Sequence, residues 1–350
     1  SMKRALGAFE TAQTLTDLFS PLNIVIAVRL RRSPQPDRLR TGLDAVQARH
    51  AALAARIVRR KKALYFETTG GNPVPLAVEE RIAEGQWRSR AEEELNSRID
   101  VERGPLLRCR YLYSPDGPSD LLLTLHHALI DAQSSERLLR EILSSFNDGS
   151  PAGPPQEYDA FLPPPQEAFF PRGYRGPSLR VRRARFIAKM IRAELAYRRA
   201  AAHQRAPAAA DRASCRILTR SLGEGPAAAL VGAARRRRVT LHSLFNAAII
   251  LAADRRIYGD GLPVARGIYF SNLRSYLVPP VPESRMGCFG ALLMLDERIE
   301  PGDGVWTLAE RFNRDAYALA KSGDKFLFPL FSPRLMRTVI RRRSRRMGVT

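Results

Sequence analysis

A proline-rich stretch near the middle of the chain limits most strongly how the 350 residues can fold. Residues 147–177 contain eight prolines, three of them consecutive at Pro163–Pro165. Because proline can neither continue a helix nor donate to a strand ladder, this stretch predicts an extended linker. The sequence therefore predicts a first part at 2–150, a crossover that also holds a basic helix at 151–212, and a second part at 213–350.

Segments with strand periodicity and segments with helix periodicity alternate on both sides of the linker. The predicted strands are Asn23–Leu30, Ala63–Thr68, Leu106–Tyr113, Leu121–Leu125, Cys215–Leu222, Val264–Asn272 and Phe289–Leu295. Predicted helices begin at Pro36 and at Ser134 or Ser135, and others cover Trp87–Ile99, Val181–Arg199, Pro226–Arg236, Leu241–Ala253 and Thr307–Ala320. Ala206–Arg212 is predicted to be a loose stretch. This alternation predicts the α/β class, with two units joined by the crossover.

The chain is strongly basic, with 57 Lys and Arg against 35 Asp and Glu, a net charge of +22. Such a charge attracts nucleic acid, an anionic membrane, coenzyme A or an acidic carrier protein. No zinc-finger spacing or aromatic RNA-binding signature is present, so no nucleic-acid partner is expected, and nucleic-acid binding is an alternative that the charge alone motivates. The three cysteines are far apart and show no metal-ligand spacing, which predicts a cytoplasmic protein without a metal.

Two segments combine basic and apolar residues at helical spacing. In Arg182–Arg199 the apolar residues predicted to share one face are Phe186, Ile187, Met190, Ile191, Ala193 and Tyr197. Such a helix either packs this face on the protein or lies on an anionic membrane, and packing is the commoner outcome. Arg334–Arg346 repeats the pattern. The charge is therefore compatible with peripheral contact at a membrane.

One pair of adjacent histidines stands where an apolar strand of the first part ends. His126 and His127 are followed by Asp131 four residues after the second histidine. A neutral imidazole can accept a proton near pH 7, as a general base must. The spacing alone is equally compatible with a metal site or a solvated loop. Of the remaining histidines, His50 is predicted to be a partly buried surface residue and His242 a structural one.

The sequence around the histidine pair resembles the condensation-domain superfamily. The resemblance rests on Ala48–Leu53, on Ile99–Arg110 and on Leu121–Asp131, which contains a His-His-x-x-x-Asp motif. The superfamily includes chloramphenicol acetyltransferase, the condensation domains of nonribosomal peptide synthesis, wax-ester synthases and phthiocerol dimycocerosyl transferases. The resemblance implies two chloramphenicol-acetyltransferase-like α/β subdomains in a V shape, with the histidines in the N-terminal one.

The resemblance also implies a role for each motif residue. His127 would be the general base, His126 the less essential first histidine, and Asp131 a structural residue held by an arginine of the second subdomain. Arg274 is the expected partner of Asp131. Asn272 and Ser271, just before that arginine, are candidates for the substrate tunnel between the subdomains.

The implied reaction moves an acyl group from a thioester to an alcohol or amine, in lipid, polyketide or peptide natural-product synthesis. The acyl donor is bound to coenzyme A or to the phosphopantetheine of an acyl carrier protein, and it is a substrate, so no cofactor is expected. The alternative is a non-catalytic relative that binds a carrier protein or lipid. The chain departs from the family in having Ala132 where a glycine usually follows the aspartate. It also stops early, so the second subdomain is expected to be C-terminally incomplete.

Overall fold

The computed structural model describes residues 2–18, 20–61, 63–68, 70, 72–148, 154, 156–202, 204, 214–330 and 338. Most of the predicted basic segment Arg334–Arg346 lies outside these residues, as does the predicted loose stretch Ala206–Arg212.

Strands and helices alternate through the first half, as the sequence predicts. In chain order the elements are β1 (Lys3–Ala5), α1 (Ala8–Asp17), β2 (Asn23–Leu30), α2 (Pro36–Arg49), β3 (Ala55–Arg60), β4 (Ala63–Thr68), β5 (Leu76–Glu80), α3 (Gln86–Asn96), β6 (Leu107–Tyr113), β7 (Ser119–His126) and α4 (Ala132–Asp148). A four-stranded sheet has the order β2-β7-β6-β5, and a three-stranded sheet has the order β1-β4-β3.

Strand β7 lies inside the four-stranded sheet, and all eight of its residues are buried. It pairs antiparallel with β2, in the register that sets Asn23 opposite His126, and with β6, where Leu107 is opposite Leu125. This explains the uninterrupted leucine run of the sequence, because a strand covered on both faces has no polar face to alternate with. The strand therefore holds the first of the two histidines at the rigid end of the sheet.

Helices α2 and α4 cover one face of this sheet with apolar residues at helical spacing. The buried residues include Leu39, Leu43 and Val46 on α2, and Leu138 and Ile142 on α4. They belong to one hydrophobic cluster with Leu121, Leu123 and Leu125 of β7. Burying a side chain of this size stabilises a fold by roughly 1.5–3 kcal/mol, so this cluster fixes the start of α4 relative to the end of β7.

The prediction of a surface position for His50 is wrong. This residue follows the last turn of α2 and is 2% exposed. Its Nε2 lies 2.6 Å from Oε2 of Glu141 on α4, and its Nδ1 lies 3.3 Å from Oδ1 of Asp159 in the crossover. The helix ends where the chain turns towards the protein interior, so the ring is enclosed by two carboxylates that are distant in the sequence.

The proline-rich stretch is not the extended linker that its composition predicts. Its described residues form short 3-10 turns, and Phe170 is fully buried. The carboxylate of Glu167 accepts a hydrogen bond from the backbone N–H of Phe9, at the start of α1, at 2.9 Å. Proline prevents regular structure but does not prevent packing, and Phe170 and Glu167 attach this stretch to both halves.

Within the residues that the structure describes, the second half contains fewer strands. Its elements are α5 (Ser178–Ala200), α6 (Glu224–Arg236), α7 (Leu241–Ala253), β8 (Val264–Asn272), β9 (Gly290–Arg298), α8 (Val305–Lys321) and the short α9 (Asp324–Leu327). Strands β8 and β9 form an antiparallel pair along their whole length. Tyr269 of β8 packs edge-on against Phe312 of α8, so α8 covers one face of the pair. Among the described helices, none has both the length and the apolar character needed to cross a membrane.

The predicted strand Cys215–Leu222 is also wrong. This segment is irregular and runs beside α3, where polar side chains bind its backbone. Asn96 accepts from the N–H of Cys215 at 2.7 Å, and Glu92 accepts from the N–H of Ile217 at 2.8 Å. Its apolar side chains suggested a strand, but the backbone donors are satisfied by a helix surface instead of by a neighbouring strand.

Candidate active site

The two adjacent histidines point into different surroundings. His126 is the last residue of β7 and is fully buried, with its Nδ1 accepting from the N–H of Ala128 at 3.2 Å and its Nε2 3.8 Å from Asp17 Oδ1. His127 is half-buried, and its N–H donates to the carbonyl of Leu22 at 3.1 Å. The first histidine is therefore part of the interior, whereas the second is only partly buried, on a backbone held by this hydrogen bond.

The ring of His127 is enclosed by residues of the second half. It stacks on Phe270, with ring centroids 6.0 Å apart and planes at 27°, and its Nδ1 lies 3.9 Å from Cys288 Sγ. Burial lowers the pKa of His127 below its usual value, although hydrogen bonds to backbone carbonyls and the charge of Asp131 oppose that shift. The ring is therefore neutral at pH 7 and can accept a proton.

Cys288 stays a neutral thiol beside this ring, because burial raises its pKa well above the usual value. Neither Phe270 nor Cys288 was predicted to be a site residue. The sequence signal for both is weak: an aromatic residue in the strand before Arg274, and an isolated cysteine in the second half.

Asp131 caps helix α4. Its Oδ1 accepts from the N–H of Ser134 at 2.8 Å, and its carbonyl accepts from the N–H of Ser135 at 2.9 Å. The prediction that Ser134 or Ser135 caps this helix is wrong, since both lie inside its first turn. A carboxylate is favoured at this position because it meets unpaired N–H groups and the positive end of the helix dipole.

The other oxygen of Asp131 connects the two halves. Oδ2 accepts from Nη1 of Arg274 at 2.5 Å and from the N–H of Phe289 at 2.9 Å. Arg274 is 4% exposed, and its Nη2 donates to Ser134 Oγ at 2.7 Å. The guanidinium also lies over the ring of Phe289, 4.7 Å from its centroid. Both oxygens of this carboxylate thus accept hydrogen bonds, from two backbone N–H groups and from Arg274, and the ion pair that the resemblance implies is present and buried.

The two tunnel candidates of the second half point to opposite faces of β8. Asn272 donates through Nδ2 to Gln133 Oε1 at 2.5 Å and therefore faces the first half. Ser271 lies one residue away, and neighbouring residues of a strand alternate between faces. Asn272 and Phe270 lie on the same face of β8, the face that is directed towards the ring of His127. Ser271 lies on the other face.

That face of β8 and β9 forms an apolar floor beside His127. We define the floor as Ile268, Phe270, Leu292 and Met294, in which Phe270 pairs with Leu292 and Ile268 with Met294. The two residues on β8 are 50% and 64% exposed. The floor ends at Arg266, which donates to Asp296 at 2.6 Å. Phe270 and Arg266 are four positions apart along the strand, a span of about 13 Å.

The substitution of alanine for the family's glycine does not distort this site. Ala132 is the first residue of α4 and is exposed. Its φ is not positive; among the described non-glycine residues, only Lys61, Arg238 and Asp260 have positive φ. The backbone at this position therefore does not need the conformational freedom of glycine.

Within the described part of the chain, no cluster of three or more His, Cys, Asp or Glu side chains could hold a metal ion.

Two family models match the chain. The model described as Condensation domain matches residues 12–257, and the model described as Phthiocerol/phthiodiolone dimycocerosyl transferase C-terminus matches residues 211–319. No curated protein sequence matches the chain significantly.

Solved structures share the fold at low sequence identity. The SgcC5 protein from Streptomyces globisporus is 20% identical, with a TM-score of 0.63 over 93% of this chain and 76% of that one. Polyketide synthase associated protein 5 from Mycobacterium tuberculosis is 18% identical, with a TM-score of 0.64 over the same shares, 93% and 76%. The first condensation domain of the calcium-dependent antibiotic synthetase is 16% identical, with a TM-score of 0.66 over 91% of this chain and 74% of that one. The predicted fold, two α/β subdomains in a V, is confirmed by these neighbours.

Proposed function

The chain belongs to the condensation-domain family, a family of acyltransferases, and from this premise we propose that it moves an acyl group from a thioester to an alcohol or amine. The observation that carries the proposal is the half-buried, neutral ring of His127, fixed at the end of a buried strand and facing the second half. Acyl transfer to an O–H or N–H needs a base that is neutral at the working pH and held in place.

The proposed step uses His127 as the general base. Its Nδ1 lies beside Cys288, which leaves Nε2 to take the proton of the acceptor. The acceptor oxygen or nitrogen then forms a bond to the thioester carbonyl carbon, and the tetrahedral intermediate expels the thiolate. The proton on His127 passes to that sulfur, so the products are an ester or amide and a free thiol. Holding both substrates against one base removes much of the entropic barrier, and no acyl-enzyme is required.

Asp131 and Arg274 have a positioning role in this proposal. Their ion pair fixes the turn that carries His127 to the strand that carries Phe270, so the base and the apolar floor keep a constant separation. Asp131 does not take part in the proton transfer, because both of its oxygens are already engaged by other donors.

The apolar floor supports an acyl group with a hydrocarbon portion as the transferred group. It begins at the His127 ring and ends at an ion pair, so an alkyl chain lying on it would leave water along most of its length. One neighbour is a four domain nonribosomal peptide synthetase, of which this chain covers 24%, and another is a polyketide synthase associated protein. These neighbours support a donor held on a carrier protein or on coenzyme A, in lipid, polyketide or peptide natural-product synthesis.

Product analysis tests the proposal directly. The purified protein is incubated with a panel of acyl-coenzyme A and acyl-carrier thioesters, each with a mixture of alcohols or amines, and products are identified by mass. We expect an ester or amide whose formation requires the acceptor and releases one thiol for each product. Tight binding of a thioester without any product across the panel would instead support the alternative, a non-catalytic relative that binds a carrier protein or lipid.

A further inference from the structure

Helix α5 packs on the protein through one side only. On that side Phe186 is buried, and Ile187, Met190, Ala193 and Tyr197 are half-buried. Arg266 of β8 lies over the ring of Tyr197 at 3.9 Å from its centroid, and Lys189 donates to Asp324 of α9 at 2.5 Å. These contacts hold the helix in place without using its opposite side.

The opposite side carries a second apolar stripe. The sequence pattern predicted a single apolar face for this helix. We define the outer stripe of α5 as Val181, Ala184, Ala188, Ile191 and Leu195, which recur every three or four residues and are all exposed. Ile191 was predicted to share the inner face and instead lies here. Val181 is 56% exposed, Ile191 55% and Leu195 49%. At 1.5 Å of rise per residue, the stripe is about 21 Å long.

Cations border the outer stripe on both sides. At 100° per residue, Arg180 and Arg198 fall on one flank, and the remaining exposed cations fall on the other flank: Arg182, Arg185, Lys189, Arg192 and Arg199. Within the described residues, Arg180, Arg185, Arg192 and Arg199 form no ion pair with a carboxylate. The acid of this helix, Glu194, faces inward and binds Arg266 and Arg198.

We infer that the outer stripe of α5 lies on the surface of an anionic membrane. Apolar side chains bordered by cations can enter the headgroup region, while the guanidinium groups beside them meet lipid phosphates. The absence of acidic side chains from this face, among the residues described, removes the repulsion that would oppose such contact. The inference rests on α5 alone and does not depend on acyl transfer.

Two other occupants fit this face less well. A second copy of the chain would present the same row of cations, and like charges facing each other oppose association. An acidic protein would match the cations, but the stripe runs straight over four turns, with five cations along one flank and Arg180 and Arg198 near its two ends on the other. A planar lipid surface can contact all of that length at once. An anionic membrane is therefore the partner that fits this face best.

Vesicle flotation with matched variants tests this inference. The wild-type protein should bind vesicles of equimolar phosphatidylglycerol and phosphatidylcholine, bind pure phosphatidylcholine weakly, and be released by high salt. Arg185→Glu with Arg192→Glu should lower binding by roughly thirtyfold or more, since each basic residue near the surface contributes about a factor of five. The control is Arg31→Glu with Arg32→Glu, two exposed loop arginines of the first half that give the same change in net charge.

The apolar contribution needs its own pair of variants. Ile191→Gln with Leu195→Gln should lower binding by about tenfold or more, because a glutamine gains little from the headgroup region. The control is Ile82→Gln with Leu218→Gln, which are 78% and 89% exposed and lie outside α5. Circular dichroism checks that each variant is folded.

Three outcomes would overturn the inference: equal binding to neutral and anionic vesicles, equal loss in the test and control variants, or no binding to either vesicle. Binding of an acidic carrier protein, but not of vesicles, through Arg185 and Arg192 would assign the face to that partner instead.

Discussion

Both halves of the molecule alternate strand-like and helix-like sequence patterns, but apolar side chains are buried more completely in the first half than in the second. In the first half, a four-stranded sheet is covered by α2 and α4, and its central strand has no exposed residue. In the second half, β8 and β9 form a pair on their own, and apolar side chains on β8 and α7 are exposed: Ile268 50%, Phe270 64%, Phe245 50% and Ile249 66%. The first half is therefore the rigid support of the site, and the second half is the surface that faces it.

This difference assigns separate tasks to the two halves. A general base must be held by an element that does not move, and β7 with its hydrophobic cluster provides one. A surface that receives a substrate must leave apolar atoms accessible, and the face of β8 beside His127 does so. The ion pair between Asp131 and Arg274 connects the rigid support in the first half to this surface in the second half.

Removing the base should produce the largest effect on the molecule's activity. His127→Ala is expected to lower turnover by roughly 100- to 10,000-fold, because the acceptor then attacks without loss of its proton to a base. Turnover is measured with the thioester and acceptor found by product analysis. The matched control is His242→Ala, an exposed histidine of the second half, which should keep nearly full activity. Equal loss in both variants would contradict a specific role of His127 as the base.

Breaking the connection between the halves should have the next largest effect. Asp131→Ala leaves the buried guanidinium of Arg274 without its carboxylate, which typically costs about 3–5 kcal/mol of unfolding free energy. Denaturant unfolding measures this for Asp131→Ala, Arg274→Ala and the double variant. The double variant should lose much less than the sum of the single losses, since the second substitution removes the unpaired partner. Strict additivity would contradict a direct pair.

A smaller effect is expected from a buried acid within the second half. Glu297 of β9 is 2% exposed, and burial together with the charge of Asp315 raises its pKa from 4.5 to about 7. A raised folded-state pKa favours the protonated acid, so its contribution to stability is complete below pH 4.5 and is lost as pH rises through about 7.

Glu297→Gln should therefore stabilise the protein at alkaline pH, by roughly 1–2 kcal/mol once screening by solvent is allowed for. Thermal unfolding followed at several pH values measures the difference between variant and wild type. The gain should shrink to nothing at acid pH. A constant difference at every pH would show that Glu297 does not titrate in the folded protein.

The bounds of several strands and helices were predicted correctly from the pattern of apolar residues in the sequence. The predicted bounds of β2, β4, α7 and β8 match the structure. Helix α1 was not predicted, because its buried side includes the polar residues Glu10, Gln13, Thr14 and Asp17, which reverses the usual pattern of burial. Strands β1, β3 and β5 were not predicted either, since these three- to six-residue strands carry little periodic signal.

The site was predictable only in part. The sequence by itself determined that two histidines follow an apolar strand and precede a helix with Asp131 at its start, because these are relations between near neighbours in the chain. Only the tertiary structure decided which histidine is accessible, that Phe270 covers its ring, and that Arg274, 143 residues away, reaches Asp131. Contacts over such separations depend on how sheets and helices pack, and packing is set by many side chains acting together.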